Sequence, residues 1–321
     1  MITDKIGSDI SKATYDVSVC LRGSTRVRTF GNTAAGWQEL DAWLQQLGLA
    51  PAHVCLEATG RLWVGIAIHL HRAGHRVSVV NPAQIKHFIR SKLTRCKTDR
   101  IDCGGIREFA ETFDPAPWMP PSEALEDLRD LMGTRDQLVS MATALSNRLG
   151  CGQRNETAAA IERQVLETLR HQLKQLETAI DAVIRHDARF DADRALLVSI
   201  PGIGAQAAAV VLAEMPGPGV LRRGAQVAAY AGLNPAHRSS GKMVGATPIS
   251  KIGNAVLRAA LYLPTLAAMR ANPVIKAFAD RLRANTRLVK KQIVVACMRK
   301  LLVLGLGVLK TRKSFDPAYA A

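Results

Sequence analysis

Hydrophobic spacing changes once along this chain. The change falls at a proline cluster, Pro115, Pro117, Pro120 and Pro121. Before the cluster, short runs alternate apolar and polar residues with the period of two that marks a half-buried strand, and they interleave with stretches of helical period. Tyr15 to Leu21 is such a run, Arg26 to Phe30 comes after a Gly-Ser turn, and His53 to Leu56 and Arg76 to Val80 are short apolar strands. Helices are predicted over 33–47, with Thr33 as N-cap, and over 62–73, 83–92 and 98–111. Strands first and then alternating helix and strand predict a mixed sheet with helices on its faces. After the cluster the spacing is helical throughout. The fold class expected is therefore α/β plus all-α, in three parts: 1–118, 119–188 and 189–321.

The middle part begins where Ser122 caps a long helix carrying Leu131, Leu138, Met141 and Leu145. A Gly-Cys-Gly interruption stands at 150–152. The next helix spaces Leu166, Leu169, Leu173, Leu176, Ile180 and Val183 as an a/d seam. Such a seam fits an antiparallel hairpin, an intermolecular coiled coil, or a stripe that faces a core.

Charge narrows the partners. The chain holds 43 Lys+Arg against 27 Asp+Glu, net +16. Of these, 19 basic and only 5 acidic residues fall in 190–321. A local excess of that size points to a polyanion, and the usual one is nucleic acid. Aromatic residues make up 5%, which disfavours base stacking as the main mode of contact. The six cysteines include no CxxC pair, which disfavours a zinc ribbon or finger, and a reducing cytoplasm is expected. The uncharged run 195–213 is broken by Ser-Ile-Pro-Gly-Ile-Gly and makes a poor membrane span; no membrane partner is expected.

Three motifs carry acids. Ile6-Gly-Ser-Asp9-Ile-Ser-Lys12 sits just ahead of the opening strand pair. Val54-Cys-Leu-Glu57-Ala-Thr-Gly60 puts an acid at the exit of a buried strand, where sites on open sheets gather. Lys97-Thr-Asp99-Arg-Ile-Asp102 places two acids on one helix face. Like charges on one face repel, and a divalent cation between them removes that cost. Asp9, Glu57, Asp99 and Asp102 together suit one or two Mg²⁺ ions, which at a phosphodiester activate a nucleophile and stabilise the leaving oxygen. Taken alone, Asp99 is equally an ordinary first-turn helix acid.

Two motifs lie in the basic region. Ile200-Pro-Gly202-Ile-Gly204 between two helices is a helix-hairpin-helix signature, whose backbone N–H groups and adjoining helix N-terminus can cradle a phosphate; it is also a plain connector. Tyr230 to Gly241 ends in Arg238-Ser239-Ser240-Gly241, with Lys242 next. Ser240 reads as a turn residue or as an exposed nucleophile, and only His237 nearby is an obvious base. Lys251, Arg258, Arg287, Lys290 and Lys291 belong to a basic face that is either solvated or tracks phosphates.

In order, Gly-Ser-Asp-Ile-Ser-Lys, Leu-Glu-Ala-Thr-Gly, Lys-Thr-Asp-Arg-Ile-Asp, Ile-Pro-Gly-Ile-Gly and Ser-Gly…Ile-Ser-Lys-Ile-Gly-Asn…Leu-Arg resemble the DEDD transposases of one bacterial insertion-sequence family, the bridge-RNA-guided recombinases. Ser8 and Cys103 depart from the residues usual beside these acids, but leave the acids in place. The resemblance spans almost the whole chain. It implies a RuvC-like, RNase H-type domain over 1–118, a helical coiled-coil spacer over 119–188, and a serine-bearing helical transposase domain over 189–321. Asp9, Glu57, Asp99 and Asp102 would be the metal-binding tetrad and Ser240 the nucleophile, with Ser239 its rival. Gly202, Gly204, Arg238, Lys242, Lys251, Arg258, Arg287, Lys290 and Lys291 would contact nucleic acid. The partners implied are donor and target DNA, a structured guide RNA, and further copies of the chain as a dimer or tetramer, in the bacterial cytoplasm at the nucleoid. Two rivals remain: a RuvC-like metal-dependent junction nuclease with no covalent intermediate, and a non-catalytic nucleic-acid-binding scaffold.

Overall fold

The N-terminal alternation becomes a five-stranded sheet. In this computed structural model, residues 4–92, 99–152, 154–236, 239–240, 243–244, 249–285 and 288–318 are described, with 99–101, 239–240 and 243–244 given by backbone alone. The chain divides into two compact units, Met1–Pro121 and Ser122–Ala321.

The first unit runs β1 (Lys5–Ile10), β2 (Thr14–Leu21), β3 (Ser24–Gly31), α1 (Ala34–Gln46), β4 (His53–Glu57), α2 (Val64–Arg72), β5 (Arg76–Val80), α3 (Pro82–Ser91) and α4 (Asp99–Phe113). Strand order is β3-β2-β1-β4-β5, antiparallel among the first three and parallel from β1 through β4 to β5. This mixed sheet is compatible with an RNase H-type fold. One expectation changes. The Asp9 motif does not precede the sheet but is its central strand, because Ile6 and Ile10 bury on one face while Gly7 takes the other.

Strand alternation sorts the side chains into two cores. Ile6, Val17, Val54 and Leu56 pack with Leu40 and Leu44 of α1 and Ile66 and Leu70 of α2. Cys55 and Val80 pack on the other face with Ile85 of α3 and Ile106, Phe109 and Ala110 of α4. Thr33 caps α1 by accepting from the Gly36 N–H, as its position predicts.

A buried histidine fastens the end of this unit. Lys5 Nζ donates to His53 Nδ1 at 2.9 Å, His53 Nε2 donates to Ser78 Oγ at 2.7 Å, and Ser78 Oγ donates to Pro115 O at 2.8 Å or Ala116 O at 2.9 Å. That chain of donors fixes the neutral tautomer with Nδ1 bare. A second proton would face the Lys5 ammonium. Burial first, then Lys5 and Arg76, hold the imidazole down at about 4. The folded state therefore takes up this proton later than the unfolded chain does. Its contribution is intact above pH 6.5 and is lost as pH falls toward 4, reaching about 2–3 kcal/mol by pH 4.5. Urea midpoints at pH 7 and 4.5 check this. The parent should lose that much more stability than His53→Gln, and equal losses would assign the acid sensitivity elsewhere.

The second unit opens with two long helices, α5 (Glu123–Gly150) and α6 (Glu156–His186). Ser122 caps α5 by accepting from the Leu125 N–H. Arg148 meets Glu162 at 2.9 Å and Arg135 meets Glu177 at 3.7 Å, so the two helices run antiparallel. Leu166, Leu169 and Ile180 of the predicted seam are buried. The open end of the pair shares a core with the later helices of the unit, through Leu128, Met132, Ile180 and Ile184.

Those later elements are α7 (Ala188–Val198), α8 (Ala205–Glu214), α9 (Gly224–Tyr230), a two-residue hairpin of β6 (Ser239–Ser240) and β7 (Met243–Val244), α10 (Ala255–Ala260), α11 (Tyr262–Ala271), α12 (Pro273–Asn285) and α13 (Lys290–Thr311). The hairpin was not expected, since two-residue strands have no period to read. By length and composition, α13 could cross a membrane. Its Ile293, Cys297, Leu301, Leu302 and Leu306 are instead buried in the core of this unit.

Candidate active site

The register of β1 decides where the acids stand. Asp9 lies directly across from Asp16 of β2. On the other side Gly7 pairs with Cys55 and Ser8 with Leu56, so the next step brings Asp9 level with Glu57. Gly7, Asp9, Cys55 and Glu57 share the face that packs against α4, and Asp16 shares it by its pairing with Asp9. Three half-buried carboxylates, Asp16, Asp9 and Glu57, thus form a row across β2, β1 and β4.

Helix α4 brings the rest. Asp114, just past its C-terminus, pairs with Lys5 at the start of β1 and meets Arg76 at 3.3 Å at the start of β5. The helix therefore runs against β1, and its first turn lies over the strand's C-terminal end. Asp99 opens α4, and Asp102 sits half-buried one step before Cys103. The approach is very close: a Cβ on Gly7 would lie 2.2 Å from both Cys103 O and Arg107 N. Only glycine lets the helix backbone rest on the strand there.

Electrostatics agree with this placement. The Cys103 thiol is pushed up to about 12, first by burial and then by the Asp16 and Asp9 carboxylates, so both charges act on one point. Burial also pushes Cys55 up to about 12. Both thiols stay protonated, and the donors on offer are carboxylate oxygens. Thr29 Oγ1 donates to Asp16, and Thr59 Oγ1 donates to Glu57 Oε1 at 3.4 Å. Among the described residues no three such groups close into a ligand sphere; the side chain of Asp99 lies outside them. An open set of hard oxygen donors at a strand edge fits a divalent cation that also takes oxygens from a substrate. Sequence reasoning missed Asp16. Its signal was an acid at an alternate position of β2, seven residues after Asp9 around a tight turn.

In the second unit Ser240 pairs with Met243 and Ser239 with Val244. His237, Arg238, Gly241, Lys242 and Arg287 lie outside the described residues. Gly202 has φ +106°, and a Cβ there would lie 2.7 Å from Ala268 Cα, so this glycine is needed for packing on α11. Gly204 is exposed and opens α8 with no side chain capping it. Lys251 is exposed, with φ +56°. Arg258 donates to the carbonyls of Ala231 at 2.9 Å and Lys251 at 3.4 Å. Lys290 and Lys291 are exposed in the first turn of α13.

Two family models match the chain. One, described as "Transposase" and of the DEDD IS110 type, covers residues 6–151. The other, "Transposase IS116/IS110/IS902 family", covers residues 194–280. The chain belongs to the IS110-type DEDD transposases. It is 28% identical over 97% of both chains to the "Pilin gene-inverting protein" of Moraxella bovis. It is 27% identical to the "Probable family 20 transposase" of Pseudomonas aeruginosa, over 89% of this chain and 88% of that one. It is also 26% identical to the "Transposase for insertion sequence element IS1111A" of Coxiella burnetii, over 64% of each. The transposase is thus an enzyme that acts on DNA, and the DEDD family implies a divalent-metal-dependent active site. The first matched span contains all four acids expected of that site; the second contains Ser240.

Proposed function

We propose that this transposase cuts and rejoins DNA through a phosphoserine ester on Ser240, assisted by one or two Mg²⁺ ions at Asp9, Glu57, Asp99 and Asp102. The observation that carries the metal half is the register that sets Asp9 level with Glu57 beneath the first turn of α4. Bound there, Mg²⁺ would supply charge to offset that developing on phosphate oxygens. The chain's own residues do the rest. Ser240 Oγ bonds to phosphorus as one P–O bond of the backbone breaks, and the serine proton ends on the departing strand's hydroxyl. The ester conserves the bond energy, so a hydroxyl of another strand can reverse the step and complete exchange.

A basic C-terminal region supports nucleic-acid binding by the second unit. Lys290 and Lys291 stand at the positive end of α13, an unfavourable place for cations that a bound phosphate offsets. Gly204 and the first turn of α8 offer open amides in a helix-hairpin-helix role. Arg238, Lys242, Lys251 and Arg287 complete the proposed nucleic-acid surface. RNA pairing with donor and target DNA would choose the sites, as guide pairing does elsewhere. The domain division proposed is 1–118, 119–188 and 189–321. Met141, Ile161 and Val165 stay exposed on the α5–α6 pair. They support its working as a coiled-coil contact between copies, in a dimer or tetramer at the nucleoid.

The test is a covalent-adduct assay. The protein with its element RNA, matched donor and target DNA and Mg²⁺ is denatured and examined for DNA-shifted protein, beside Ser240→Ala and Asp102→Asn. An adduct lost in both variants is the expected result. Cleavage without an adduct, unaffected by Ser240→Ala, would replace this reading with a metal-dependent junction nuclease. Binding without any Mg²⁺-dependent cleavage would leave only a scaffold.

A further inference from the structure

The stretch that carries Ser240 is closed at its base by a ladder of bonds between two segments, 230–235 and 249–254. Pro235 bridges Ile249. The Ser250 N–H donates to Asn234 O at 2.8 Å, Lys251 N–H to Gly232 O at 3.2 Å, and Asn254 N–H to Tyr230 O at 2.7 Å. Gly253, with φ +140°, lets the two backbones touch: a Cβ there would lie 2.3 Å from Tyr230 O and 2.7 Å from Gly232 N.

Three side chains, Arg258, Asn254 and Glu214, hold this neck. Arg258 Nη1 reaches one carbonyl on each segment, Ala231 O and Lys251 O. Gly232 makes room for it, since a Cβ there would lie 2.6 Å from that nitrogen. Asn254 caps α10 by accepting from the Leu257 N–H at 2.8 Å, and its Nδ2 donates to Glu214 Oε2 at 2.6 Å. Glu214 ends α8, and its own carbonyl accepts from Tyr230 Oη at 2.9 Å. Both segments are thereby tied to the end of α8.

We propose that Arg258, with Asn254 and Glu214, is a positioning clamp that holds the neck of the serine-bearing loop closed, and that Arg258 spends its guanidinium on these carbonyls rather than on a phosphate. The proposal rests on Ser240 being the reacting residue only for its catalytic consequence; the clamp itself is a structural claim. A guanidinium suits the task because the two N–H bonds of Nη1 are held in a fixed plane and can point at both carbonyls, which a lysine ammonium on a flexible stem does less well. Misplacement of a reacting atom by about 1 Å costs about 100-fold in rate.

The experiment compares the full-length parent with Arg258→Ala, Arg258→Lys and Asn254→Ser, the last of which keeps the α10 cap but loses the bond to Glu214. Three readouts are taken. Hydrogen exchange at the Ser250 and Lys251 amides should quicken about tenfold in Arg258→Ala and Asn254→Ser, and less in Arg258→Lys. Adduct formation should slow about 10–100-fold in the same order. DNA affinity and its slope against salt should stay at the parent's values. A salt slope reduced by about one, with exchange unchanged, would make Arg258 a phosphate contact and overturn the clamp. Faster exchange in a protein whose parent forms no serine adduct would retain the clamp and remove the reading of Ser240.

Discussion

Gly7→Ala is expected to unfold the first unit or leave it marginal. The added methyl would sit 2.2 Å from Cys103 O and Arg107 N and 2.8 Å from Arg107 Cα, all backbone atoms of α4. A flexible side chain could swing aside; a helix backbone cannot. Helix α4 would have to lift off the sheet, giving up the contacts of Ile106, Phe109 and Ala110 with Cys55 and Val80. Overpacking against a rigid partner together with that lost burial puts the cost at about 3 kcal/mol or more. Gly104→Ala in the same helix is the matched comparison. Nothing lies within 4 Å of its Cβ position, so the substitution should raise stability by about 0.5–1 kcal/mol through helix propensity. Thermal melts of the two variants separate these outcomes. A Gly7→Ala protein melting with the parent would mean that α4 does not rest on β1. That would also remove the means by which Asp99 and Asp102 reach the sheet edge.

Local signals made part of this fold legible in the sequence. Periodicity and caps are local, so β2, β5, Thr33 and Ser122 were legible. So were Glu57 at the exit of β4 and Asp99 and Asp102 at the start of α4, whereas Asp9, expected ahead of the opening strands, stands within the central strand. Register is not local. Nothing in the alternation of β2 says that Asp16 faces Asp9, and the pairing emerges only once the Ser11-Lys12-Ala13 turn has set the offset. Composition misleads in another way. A basic region makes every arginine look like a phosphate contact, yet Arg258 is engaged with two carbonyls. A Pro-Gly-Ile-Gly turn likewise makes both glycines look like a cradle, yet Gly202 is required by Ala268. Long-range packing selected those residues, and no window of sequence contains it.

Asp9→Asn is expected to abolish strand cleavage while the protein stays folded. Asn keeps the volume and one oxygen of Asp but removes the charge at the centre of the row Asp16, Asp9 and Glu57. A hard cation held by carboxylates depends on that charge, and losing electrostatic stabilisation of this kind costs about 10³-fold in rate or more. Binding gives a second measure that does not depend on turnover. A ligand that binds only the folded state raises its stability by RT ln(1 + [L]/Kd), so Mg²⁺ should raise the melting temperature of the parent and not that of Asp9→Asn. Asp16→Asn tests the same row from its edge. It relieves a like-charge pair directly opposed across two strands, and its Oδ1 can still accept from Thr29. Stability in the absence of metal should therefore rise by about 0.2–1 kcal/mol. The Mg²⁺-dependent rise in melting temperature should persist, because Asp9 and Glu57 remain. Cleavage and a Mg²⁺-dependent melting shift that both survived in Asp9→Asn would move the metal away from β1. The β1 register would then account only for the fold of the first unit.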